Sequence, residues 1–174
     1  MNNKGEVNVL LYITIFAFII MFIGILAALG VSIGGILLDE ITPAVQSIGS
    51  AGGSNITEYS NYVLEPLNTV YEDFYWLTGI FYIFALMALL IFSYGYRLTV
   101  NPIYVTFFFL LAILLVFASI YISNMYEDLL EGNNDISVRL EQQTIITFLL
   151  VYSPIIMSII IFLAGIIMFT GGDT

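Results

Sequence analysis

The residues in this chain that could do chemistry are nearly all carboxylates. Adjacent pairs stand at Asp39-Glu40, Glu72-Asp73 and Glu127-Asp128, and Glu141 forms a fourth station. Carboxylates grouped this way can concentrate cations at a pore mouth or supply oxygen ligands to a hard ion such as Ca²⁺. A plainer reading competes with that one, since membrane helices need charges at their ends to stop them sliding into lipid. Asp39, Glu40, Glu127 and Asp128 are the sharper candidates because they fall where helices finish. An anion there opposes the helix dipole by roughly 0.3 kcal/mol or more, whereas Glu72, Asp73 and Glu141 stand where helices start and anions are favoured.

Other chemistry is thinner. The chain has no histidine and no cysteine. That removes thiolate nucleophiles, disulfides, Cys/His zinc sites and the commonest general base. No P-loop, nucleophile elbow or HExxH is present. The expectation is a non-enzymatic protein with no cofactor and no dedicated metal site. Three basic residues against thirteen acids, a net charge of −10, exclude nucleic acid as a partner and polybasic docking on anionic lipid.

The elements that position these acids are four uncharged stretches, Val7–Leu38, Phe74–Tyr96, Leu98–Tyr126 and Gln142–Gly172. A helix rises about 1.5 Å per residue, so roughly 20 apolar residues cross a hydrocarbon core of about 30 Å. Each stretch is long enough. The chain is 60% hydrophobic, with a mean hydropathy of +1.03, beyond ordinary globular domains. The fold expected is all-α, one polytopic domain over residues 1–174. Its spans are about 7–38, 76–96, 103–123 and 143–170, with outer loops at 39–75 and 124–142.

Within this frame Pro43 limits the first helix, and Ser47–Asn55 reads as a flexible Gly/Ser connection. Residues 56–75 carry apolar side chains at spacings of three and four, an outer amphipathic helix that lies on the surface or leads into span two. Tyr71, Tyr75 and Trp76 fall where an interfacial aromatic belt belongs. Gly24, Ala28, Gly30 and Gly34 give the first span a small-residue face with a GxxxG, suited to close helix packing. Gly132-Asn-Asn stops the third helix, and Asn134 or Asp135 caps the next. Arg139 is placed to pair with Asp135, Glu131 or Asp128. The fourth helix is expected from Ile136 to Phe169 with a bend at Ser153-Pro154, so that spans three and four form an extended outer hairpin.

Sidedness follows from the cations. Lys4 and Arg97 belong to one face, which the positive-inside rule makes cytoplasmic, with both termini there. Eleven of the thirteen acids, with Arg139, fall on the opposite face. No acid or base interrupts the middle of any span. Ion-coupled carriers and proton relays keep such a group because their mechanism needs it. The function expected is therefore a structural or assembly subunit of a membrane complex. Its partners are the bilayer and other membrane proteins or copies of itself. A membrane-containing virion or phage is one setting, and an accessory subunit of a cellular complex is another. The alternative is an oligomeric cation channel with an acidic outer ring.

Overall fold

The computed structural model describes residues 3–51, 54–96, 98 and 100–170. The Lys4 side chain and Arg97, on which the expected orientation rests, lie outside the described residues. Apart from one two-residue ladder the described chain is helical.

The first helix, α1 (Asn3–Ser47), runs 45 residues without a break. It passes Pro43, which was expected to limit it. The missing amide costs little there, because the carbonyl it would have engaged lies near the exposed helix end, where water can reach it. The Thr42 hydroxyl donates to the Leu38 carbonyl at 2.7 Å in the same turn. A left-handed Gly49 (φ 66°) then turns the chain. β1 (Ser50–Ala51) pairs antiparallel with β2 (Ser54–Asn55).

The second helix, α2 (Ile56–Gly95), is 40 residues long. Asn55 starts it by accepting from the Glu58 amide at 3.3 Å. Residues 56–75 are thus no separate surface helix: they are the first half of α2, which continues through Pro66 into the apolar stretch. Much of the expected outer loop 39–75 is accordingly helix from both flanks.

The third helix, α3 (Pro102–Leu130), begins with Pro102 in its first turn and the Asn101 side chain accepting from the Ile103 amide. Proline suits that position, where its absent amide has no helical partner. Asn133 takes a positive φ of 46° after α3 ends. Asn134 caps α4 (Asp135–Gln142) and exchanges bonds with Ser137 at 2.9 and 3.1 Å.

The remaining chain departs from expectation. In place of one helix from Ile136 to Phe169 with a single bend there are three segments: α4, α5 (Thr144–Val151) and α6 (Ser153–Phe169). The break at Ser153-Pro154 falls where expected, and the one at Gln143 is additional. The axis turns by 73° between α5 and α6. Pro154 explains the second break, since its ring excludes a helical Leu150 carbonyl and it offers no amide. α1, α2 and α3 each have the length and apolarity to cross a membrane, and α5 with α6 makes a fourth if the bent pair counts as one span. The chain has the character of a multi-pass membrane protein.

α1 and α2 run antiparallel, as do α3 and α6. Phe16 meets Phe92 edge-on with ring centroids 5.0 Å apart, and further along Gly24 meets Tyr82. Phe108 of α3 meets Phe169 of α6 at 5.6 Å, while Ser119 meets Ser153. The main core gathers Met21 and Ile25 of α1, Leu86 and Leu89 of α2, Tyr126 of α3, and Leu150 and Met157 of the broken span. A smaller core at the Asn101 end holds Leu10, Leu98, Tyr104 and Met168. Lipid is as apolar as these side chains, so close packing and interhelical hydrogen bonds must hold the bundle together. The exposed Ile15, Phe84, Phe117 and Phe162 are ordinary lipid-facing residues on this view.

Candidate functional site

Polar groups of the interior collect along the broken span. α3 presents Ser119, Ser123 and Tyr126, all buried, at spacings of four and three that place them on one face. Opposite them the helix is interrupted at Gln143, whose amide reaches back only to the Leu140 carbonyl, and at Tyr152. The Ser123 hydroxyl donates to the Val151 carbonyl, and the Ser153 hydroxyl donates to the Ser119 carbonyl at 3.0 Å. Thr147 Oγ1 donates its only hydrogen to the Leu140 carbonyl at 2.7 Å. The Tyr126 hydroxyl, 2.9 Å from Thr147 Oγ1, must therefore be the donor in that pair. These bonds tie α3 to both arms of the bend, and Thr147 to the end of α4, in a water-poor interior.

Gln143 is the second station. It is fully buried, and its Nε2 donates to the Ala28 carbonyl and to Ser32 Oγ, each at 2.9 Å. Because a carbonyl can only accept, this orientation of the amide is fixed. The Oε1 atom has no partner among the described residues. The amide joins the α4–α5 break to α1 within its uncharged stretch.

Arg139 is the third. It forms an ion pair with Asp39 of α1 and donates to the Tyr75 hydroxyl of α2, with its guanidinium against Gly35. Its partner is therefore Asp39, a hundred residues away, in place of the nearby Asp135, Glu131 or Asp128. The carboxylate is 55% exposed, so the pair contributes about 0–1 kcal/mol. Three polar stations tie the broken span to its neighbours: Arg139 to α1 and α2, Gln143 to α1, and the hydroxyl row of α3 to α5 and α6.

Asp39, Glu40, Glu72 and Asp135 line one cleft of about 700 Å³ with Arg139 among them. Glu127 and Asp128 are exposed at the end of α3 and do not line that cleft. Among the described residues no three acids are arranged to hold a metal ion.

The small-residue face is divided. A Cβ at Gly24 would strike the Tyr82 ring, and one at Gly34 the Tyr71 ring, so both sites admit a tyrosine of α2. Ala28 is buried and lends its carbonyl to Gln143. Gly30 meets nothing within 4 Å and opens onto a groove. The aromatic belt is divided as well. The Tyr71 hydroxyl donates to the Val31 carbonyl, and the Tyr75 hydroxyl accepts from Arg139. Trp76 faces outward with Nε1 3.5 Å from Asp73.

Gln143, Ser123 and Tyr126 were not singled out from sequence. The 4-3 spacing of the α3 polar residues was the signal available. Nothing local marked Gln143, since a glutamine next to Gln142 at the edge of an uncharged stretch reads as an interfacial residue. Comparison with protein families, curated proteins and solved structures finds no match for this chain.

Proposed function

We propose that the chain is a non-enzymatic structural or assembly subunit of a membrane complex. In this reading it spans the membrane four times, the fourth time through the bent α5–α6 pair. Both termini lie on the inner side, and the acidic ends lie outside. A virion membrane and a cellular membrane complex remain equal settings by chemistry.

The observation that carries the reading is where the intramembrane polar groups go. Thr14, Thr78, Ser93, Thr106 and Ser158 each donate to a carbonyl four residues back in their own helix. Ser123 and Ser153 donate across helices, as do Gln143 and Tyr126. The cross-helix bonds tie helices together, the others are spent within a single helix, and neither kind supplies a continuous path for an ion.

Planar-bilayer recording tests this against the channel. The purified chain is expected to give no cation conductance. Conductance that disappears when Asp39, Glu40, Glu127 and Asp128 are neutralised would establish the channel and end the structural reading.

A further inference from the structure

Among the described residues one face of the α1–α2 hairpin has no covering. Arg139 meets α1 at Gly35 and Asp39, and α1 continues to Ser47 beyond that level, a further 12 Å or so at about 1.5 Å per residue. On α2 beyond the same level Val63, Leu67, Val70 and Phe74 follow a 4-3-4 spacing, which puts them in one row. All four are exposed, Val63 at 65%. Three of them precede the uncharged stretch of α2 and are interspersed with Glu65 and Glu72, so in the proposed topology they stand outside the hydrocarbon. An apolar row standing in water marks an interaction surface.

The row runs on into the membrane. Phe74 also lines a groove of about 430 Å³ between α1 and α2, with Gly24, Ala27, Gly30, Phe81 and Tyr82. The small residues of α1 leave room there for a close approach.

Charge identifies the partner further. Beside the apolar row runs a second row at helical spacing, Glu58, Tyr62, Glu65, Thr69 and Asp73. Glu58, Tyr62 and Glu65 share a shallow cleft with Pro66. From Asp39 to Asp73 the sequence has six acids and no base. A second copy brings six more acids to the same place and nothing to pair with them. Resting on the assembly reading above, we infer that this face receives a membrane-spanning helix of a different protein. That helix continues beyond the lipid as an amphipathic segment with one apolar and one Lys/Arg-rich row.

The test co-reconstitutes the full chain in phosphatidylcholine vesicles with a synthetic peptide, a Leu/Ala span continued by an amphipathic Leu/Lys helix. A matching peptide with a Leu/Glu extension is the control, and association is read by energy transfer. The Lys peptide should associate. Leu67→Ser with Val70→Ser, or separately Glu58→Gln with Glu65→Gln, should each weaken it about tenfold. These positions are exposed, and helical content by circular dichroism should stay unchanged. No association, or equal association of the Lys and Glu peptides, would overturn the inference. The chain has no cysteine, so Val70→Cys supplies a single thiol. A disulfide-linked homodimer from that variant would make the occupant a second copy. That outcome would sink this inference while leaving the assembly reading standing, because the latter depends on conductance and complex formation.

Discussion

Two residue-scale features separate positions that look alike in sequence. Gly24 and Gly30 are both glycines of one apolar helix, yet only the first has a neighbour where a side chain would go. Gly24→Val should destabilise the bundle by about 2 kcal/mol through overpacking against Tyr82, while Gly30→Val should stay within roughly 0.5 kcal/mol. Unfolding by SDS titration in mixed micelles measures both. Gln143 gives a second contrast. Gln143→Glu sets a carboxylate against the Ala28 carbonyl and removes both donated bonds, at a cost of about 3 kcal/mol. Gln143→Leu loses the same bonds but also removes the unpartnered Oε1, so its cost should be near 1 kcal/mol. The same titration orders the two, and equal costs would mean that this amide does not govern the joint.

The broken span shows how much of an element can be read from its own residues. Uncharged runs revealed α1, α2 and α3 as long apolar helices, because hydropathy is a local property. Pro154 gave the place of one bend. Its 73° angle was not legible, because it depends on hydroxyls supplied by α3, a separate part of the chain. The break at Gln143 had no local sign, since the residue's partners lie on α1. Asp39 was legible as a candidate, but its pairing with Arg139 was not, because proximity in sequence favoured Asp135. Likewise the apolar spacing over residues 56–75 was legible as helical, while the choice between a surface helix and one leading into the second span needed the structure. The α3 hydroxyls carry a prediction at this scale. Ser123→Ala leaves the Val151 carbonyl short of a partner, so amide exchange around Val151–Ile155 should rise about tenfold. Exchange in the middle of α1 should not change. Uniform acceleration along the chain would contradict a local role for this hydroxyl.

For the whole molecule, the acids give the two ends of the bundle different chemistry. The proposed orientation is checked by single cysteines in this cysteine-free chain. Glu131→Cys should react with an impermeant maleimide added outside sealed cells or vesicles, and Val100→Cys should not. The opposite pattern would invert the topology. The fold supports assembly because most of its interior polar groups are engaged within or between helices and the α1–α2 hairpin displays an apolar row beside acids. Native mass spectrometry of the chain, extracted from its own membrane in mild detergent, tests that claim most directly. The account predicts a complex of fixed stoichiometry that contains at least one other polypeptide. Isolation as a free monomer that conducts cations on reconstitution would contradict it.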